Sequence, residues 1–172
     1  MNIFESFEKK SIPKGTILLR EGEFCRFGCK VVSGCLKSYI IDRQGKEHII
    51  QFAPEGWIIT DMESLYHQKP SKIFIEAIED TEAHWIQGDM VETWEKSRRE
   101  DLITQILMLT RNIITSNKRT RMLLSSTGKE RYYDFLNTYP TLAQRLPLKL
   151  IASYIGITPE YLSEIRRKIA GK

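Results

Sequence analysis

The chain has 172 residues, 41% of them hydrophobic and 28% charged, with a formal net charge of +4. That composition fits a globular protein of one large or two small domains and excludes disordered, fibrous and disulfide-rich classes. No apolar run reaches the roughly 18 residues of a membrane span, and "MNIFESFEKK" lacks the basic start and apolar core of a secretory leader, so the expected location is the cytoplasm, away from membranes. The charge is uneven. Residues 1–110 hold 14 basic and 18 acidic side chains, whereas residues 111–172 hold 12 basic and 4 acidic. The C-terminal third is the part suited to a polyanion.

Residues 12–87 read as short strands. Val, Ile and aromatic residues cluster in "TILLREGEF", "CKVVSGCLKSYIIDRQGKEHIIQFAPEGWIIT", "KIFIEAIED" and "TEAHWIQ". Gly15, Gly22, Gly28, Gly34, Gly45 and Gly56 interrupt every helical alternative. "IDRQGKE" has the look of a hairpin loop. Strands this short and this closely spaced point to a sandwich or barrel-like roll. Cys25, Cys29 and Cys35 fall in this region. An odd number argues against a disulfide framework, and a metal or cluster site lacks a fourth soft ligand nearby. The strand pattern would also scatter the three thiols over two faces. No metal is expected and no cofactor is identified. His48, His67 and His84 stand apart without ligand spacing, and no nucleophile–base pair accompanies the carboxylates of Asp61 and Glu63, so an enzyme is not expected.

The pattern changes at residue 88, where Asp89 can cap a helix with Glu92 three positions on. From Glu100 to Ser126 there is neither Gly nor Pro. Leu102, Ile106, Leu109, Ile113, Ser116, Thr120 and Leu123 alternate at spacings of four and three, a heptad seam that becomes polar toward its end. Ile103, Leu107 and Ile114 form a second apolar edge. A helix of roughly 25 residues is about 37 Å long, more than a small domain uses internally. One edge can pack on the β domain while the seam meets a second copy, giving a homodimer; the alternative is a single buried core helix. A further helix restarts at Ser126 or Thr127 and ends at Pro140.

The chain closes on "LIASYIGITPEYLSEIRRKIAGK". Residues 148–155 and 159–169 form two short helices about Gly156. Ile151, Ile155, Leu162, Ile165 and Ile169 supply the apolar faces, with small Ala152 four residues before the turn. Thr158 caps the second helix and Pro159 fits its first turn. These features stand at the spacing of a helix-turn-helix, the alternative being an ordinary helical hairpin. The second helix would enter the major groove of double-stranded DNA. Glu160, Tyr161, Ser163, Glu164 and Arg167 are the candidates at the base edges, and Thr158, at the cap, is counted with the DNA-binding residues. Lys149, Arg166, Arg167 and Lys168 are the candidates at phosphates. Tyr161 can instead be partly packed.

On "REGEFCRFGCKVVSGCLKSYIIDRQGKEHIIQFAPEG" and "IASYIGITPEYLSEIRRK", nearly the whole chain resembles the Crp/Fnr family of bacterial transcription regulators, in particular short members of a Bacteroidetes type. The resemblance implies an α+β fold: an N-terminal double-stranded β-roll of the cyclic-nucleotide-binding-like jelly-roll kind, a long dimerisation helix, and a C-terminal helix-turn-helix without a full wing. It divides the chain into an effector domain at 1–98, the dimer helix at 99–126 and the DNA-binding domain at 127–172. It implies a small-molecule effector pocket around Trp57, Ile59, Asp61, Met62, Ser71, Lys72, Thr115 and Ser116. Three positions depart from the family pattern. Asp61 and Ser71 replace the ribose-binding Glu and the phosphate-binding Arg of cyclic-AMP-binding members, which argues against tight cyclic AMP binding. Glu164 replaces an Arg that points at guanine; a carboxylate can accept from cytosine N4, or pair with Arg167 or Lys168. The second functional reading is a small-ligand-binding module whose output is a protein contact.

Overall fold

Two four-stranded antiparallel sheets build the N-terminal half of the computed structural model, which describes residues 7–87 and 99–171. The strands are β1 (Lys9–Ile12), β2 (Ile17–Leu19), β3 (Phe27–Ser33), β4 (Leu36–Ile41), β5 (Glu47–Ala53), β6 (Ile58–Ile59), β7 (Phe74–Ala77) and β8 (Thr81–Gln87). One sheet runs β1-β8-β3-β6 and the other β2-β7-β4-β5. Cys29 and Val31 of the first sheet and Leu36, Phe52 and Ile75 of the second share one core. This is the double-sheeted roll expected from closely spaced strands, and with the helices that follow the chain is α+β.

Local chemistry sets the turns. Between β4 and β5, the Asp42 carboxylate accepts from the N–H groups of Gln44 and Lys46, at 2.9 and 3.0 Å, and the side chain of His48 lies 2.7 Å from its other oxygen. At Gly34, with φ +87°, a Cβ would lie 2.4 Å from the carbonyl oxygen of Asp80, so no side chain fits. Two elements of this half escaped the sequence reading. β1 lies ahead of the residues read as strand. Helix α1 (Met62–His67) interrupts them, because Asp61 accepts from the N–H groups of Glu63 and Ser64 and so caps a turn in a stretch read as β.

The three cysteines are buried, and their thiols approach the backbone carbonyls of Phe27, Ile59 and Leu36. Burial pushes the Cys29 thiol up to about 12. Thiol reagents should therefore leave the native protein unlabelled at pH 8 and titrate three thiols once it is unfolded, a difference that a colorimetric thiol assay measures.

Among the described residues five helices follow: α2 (Arg99–Ser125), α3 (Gly128–Thr138), α4 (Leu142–Arg145), α5 (Leu148–Ile155) and α6 (Pro159–Ala170). Asp89 and Glu92, read as a helix start, lie outside the described residues. Helix α3 begins with a capping box between Thr127 and Glu130. The roll and the C-terminal helices share apolar packing. Phe52 of β5 meets Phe135, Tyr139 and Tyr154 at ring-centroid distances of 6.2, 6.0 and 5.2 Å, and Trp57 meets Tyr139 at 5.2 Å. Around this cluster, Ser153 of α5 accepts from the N–H of Ile49 and donates to the carbonyl of Glu47. Arg145 of α4 grips both oxygens of Glu55 at 2.8 and 2.9 Å and also bonds Glu79.

Candidate nucleic-acid interface and effector cleft

The apolar residues of the terminal stretch fold inward and leave its polar residues outside. Ile151, Ala152 and Ile155 of α5 and Leu162 and Ile165 of α6 are buried. Gly156 takes φ +70°, and its N–H closes α5 on the carbonyls of Ala152 and Ser153. A Cβ there would lie 3.0 Å from Leu123 of α2, so glycine serves both the left-handed turn and the close approach. The Thr158 hydroxyl accepts from the N–H of Tyr161 at 3.2 Å, and Pro159 occupies the first turn of α6.

What α6 turns outward is Glu160, Tyr161, Ser163, Arg166, Arg167 and Lys168, with Glu164 partly exposed and Lys149 exposed on α5. Tyr161 does double service: a Cβ on Gly128, at the start of α3, would come within 2.7 Å of its ring, so one edge packs there. Thr158 spends its hydroxyl on the cap. The Ser163 hydroxyl donates back to the carbonyl of Pro159 at 2.9 Å. Glu164 pairs with Lys168 at 2.6 Å, one helical turn on, and that ammonium holds its carboxyl below the usual range.

Arg131 of α3 anchors this unit to the long helix. It donates to the carbonyls of Leu123 and Ser126 at the C-terminal end of α2 and to Ile155 at the end of α5, satisfying carbonyls that a helix terminus leaves without partners. No feature of the linear sequence singled it out, because its three acceptors come from two helices.

Helix α2 meets the roll through polar groups. Asn112 donates to the carbonyl of Ile58, and Arg111 to that of Gly56. Arg119 donates to Ile49 of β5 and to Tyr154 of α5, with its guanidinium 4.5 Å from the Tyr154 ring centroid. Of the residues read as a seam, Ile106, Ile113, Ser116 and Thr120 are exposed, whereas Leu102, Leu109 and Leu123 are half-buried against their own chain. Ile103, Leu107 and Ile114, read as a second edge, are exposed too. The free apolar stripe is thus turned slightly from the one read in the sequence, because Gln105, Asn112 and Arg119 take the inward face.

The residues read as an effector pocket divide into two groups. Trp57, Thr115 and Ser116 line a cleft with Ile50, Gln51, Asn112, Tyr139 and Tyr154. It encloses about 50 Å³, room for a few waters. Asn112 Oδ1 is buried there and meets no donor among the described residues. Ile59, Asp61, Met62, Ser71 and Lys72 are not in its lining. Ile59 is buried in the core. Asp61 spends one oxygen on the cap of α1 and accepts from the Ser71 hydroxyl at 2.7 Å with the other. Met62 is exposed, and Lys72 lies outside, 3.7 Å from Glu63.

Residues 9–93 match the family model for the cyclic nucleotide-binding domain. The fumarate and nitrate reduction regulatory protein of Vibrio cholerae is 30% identical over an alignment of 169 positions that covers 91% of this chain and 66% of that protein. The chain therefore spans just under two thirds of this curated relative. Among solved structures, that of FixK2 from Bradyrhizobium japonicum superposes with a TM-score of 0.78 at 19% identity, covering 96% of this chain and 85% of the other. A CRP/FNR-family transcriptional regulator from Thermus thermophilus gives 0.71 at 17% identity, covering 95% and 86%. Among the described residues no helix is long and apolar enough to cross a membrane. With a roll that matches the cyclic nucleotide-binding domain at its N-terminus, two helices joined at Gly156 at its C-terminus and bacterial regulatory proteins among its relatives, the chain is similar in sequence and fold to the Crp/Fnr family of transcription regulators.

Proposed function

We propose that the protein is a homodimeric, sequence-specific DNA-binding regulator of transcription that acts in the cytoplasm. The observation that carries this reading is the α5–Gly156–α6 unit. It buries Leu162 and Ile165 while holding Glu160, Ser163 and Arg167 on one outward face. Arg166, Arg167, Lys168 and Lys149 flank that face and suit phosphates. The stripe on α2 supplies the second copy. Ile106, Ile113 and Ile114 are 59%, 60% and 60% exposed there, which is costly for a helix that stays alone in water.

The effector, in this reading, enters the cleft at Trp57, Thr115 and Ser116, where Asn112 Oδ1 offers an acceptor to a ligand donor. Tight cyclic AMP binding is not part of it. Ser71, a neutral side chain whose hydroxyl is bonded to the Asp61 carboxylate, stands where a cyclic phosphate would need a cation. Ligand entry would bias the packing of α2 and so the separation of the two α6 helices.

Selection from random duplex DNA tests the reading. It should enrich two half-sites about 34–36 Å apart, centre to centre. Glu164, a pure acceptor, should select cytosine through its N4 amine at one position of each half-site. Eight basic side chains per dimer give an expected slope of about −7 for log affinity against log salt, and Arg167→Ala should lessen it by about 2. A flat salt response with no enriched sequence would overturn the proposal in favour of a ligand module that signals through protein contacts.

A further inference from the structure

The exposed side of α2 repeats every seven residues. Ile103, Thr110, Asn117 and Leu124 form one row, Ile106, Ile113 and Thr120 the next, and Leu107, Ile114 and Arg121 border them; all ten are exposed. The opposite side, carrying Gln105, Asn112 and Arg119, is bonded to the roll or turned toward it. At about 100° per residue, Asn117 falls in the middle of the free stripe. In heptad terms the first row occupies position a and the second position d.

This pattern leaves the number of helices underdetermined. Ile at both a and d, as at Ile103, Ile106 and Ile113, favours three or four strands over two. An amide at a single a position reverses that preference. Two copies related by a two-fold axis can bond each other's carboxamides, whereas a larger bundle or a shifted register buries an amide without a partner.

We propose that Asn117 is the positioning residue of the dimer: it pairs with Asn117 of a second copy across the two-fold axis, restricts α2 to a parallel, in-register pair, and thereby sets where the two recognition helices lie. This rests on the dimeric reading above. The half of the seam next to the helix-turn-helix carries Asn117, Thr120 and Arg121 before it closes on Leu124, and the far half is apolar except for Thr110. The far half then supplies the affinity and Asn117 the register.

Two substitutions in the full-length protein test this. Wild-type protein should sediment as a single dimeric species over a wide concentration range. Asn117→Leu should fold alike by circular dichroism, resist dilution further, and sediment as a mixture that includes trimers or tetramers. In Asn117→Cys the new thiol is the one exposed cysteine among the described residues, since Cys25, Cys29 and Cys35 are buried. With oxidised glutathione it should cross-link nearly all dimers, because facing seam positions approach the roughly 4.4–6.8 Å Cα separation that a disulfide spans. Thr115→Cys, on the roll side, should not cross-link. A dimer whose Asn117→Leu variant sediments and dilutes as wild type does, or whose Asn117→Cys variant stays uncross-linked, overturns the assignment of Asn117 alone. A wild-type protein that is monomeric throughout overturns the dimeric reading as well.

Discussion

Phe52→Ala is expected to lower the free energy of unfolding by about 3–5 kcal/mol, and to do so for the whole molecule at once. Phe52 is fully buried, and its ring sits between the roll and three aromatic side chains of the helical part, Phe135, Tyr139 and Tyr154. Truncation leaves a cavity in packing that both halves share. It also withdraws support from Trp57 and Tyr139, whose rings lie 5.2 Å apart, and from Tyr139 Oη, which donates to the Phe52 carbonyl at 3.3 Å. The measurement is denaturant unfolding followed by two probes, tryptophan fluorescence and far-ultraviolet circular dichroism. Coincident transitions, both shifted to lower denaturant, are the expected result. A variant whose roll unfolds early while the helices keep the wild-type midpoint would show that the two parts are separate units. The shared cluster would then not be what joins them.

The paired substitution Ile106→Glu with Ile113→Glu should cost operator affinity without costing the fold. Both side chains are about 60% exposed, so a carboxylate at either site meets water in the single protomer, and the change in protomer stability should stay within about 0.5 kcal/mol. In a helix pair the same residues face their own copies. Four carboxylates along one dry seam repel each other and must shed their hydration. Dimerisation should be lost, and with it the simultaneous engagement of two half-sites. Losing the linked second site lowers affinity by about 10²–10⁴. Sedimentation and DNA titration at constant salt read the two effects separately. Unchanged sedimentation would show that another surface holds the copies together. Monomeric protein that binds DNA as tightly as wild type would show that one recognition helix suffices.

Much of the terminal motif could be read without coordinates, because its signals are local. Gly156, Thr158 and Pro159 specify a left-handed turn, a cap and a first turn within three residues of one another, and the spacing of Ile151, Ile155, Leu162 and Ile165 names the faces that must be covered. The observed helices, Leu148–Ile155 and Pro159–Ala170, follow from that chemistry almost residue for residue. The roll was legible as a class of fold, since period-two apolar runs broken by glycines permit little else. Helix α1 was not: its cap, Asp61, stands in a run of strand-forming residues, and only the two N–H groups that turn back onto the carboxylate make it helical there.

What the sequence determined by itself, then, is the kind of element along most of the chain, β1 and α1 apart, and which residues want burial. Tertiary structure decided the pairings. It bonded the inward face of α2 to the carbonyls of Gly56, Ile58 and Ile49, which selected the stripe left free. It gave Asp61 to Ser71 and to a helix terminus rather than to the cleft at Trp57. It bound Arg131 and Arg145 to acceptors brought in from other elements. The physical reason is range. Caps, turns and periodicity act between residues a few positions apart, where the chain itself fixes the geometry. The hydrogen bonds of Arg119 reach 35 and 70 residues back and forth along the chain, and such partners exist only once the sheets and helices have been brought together.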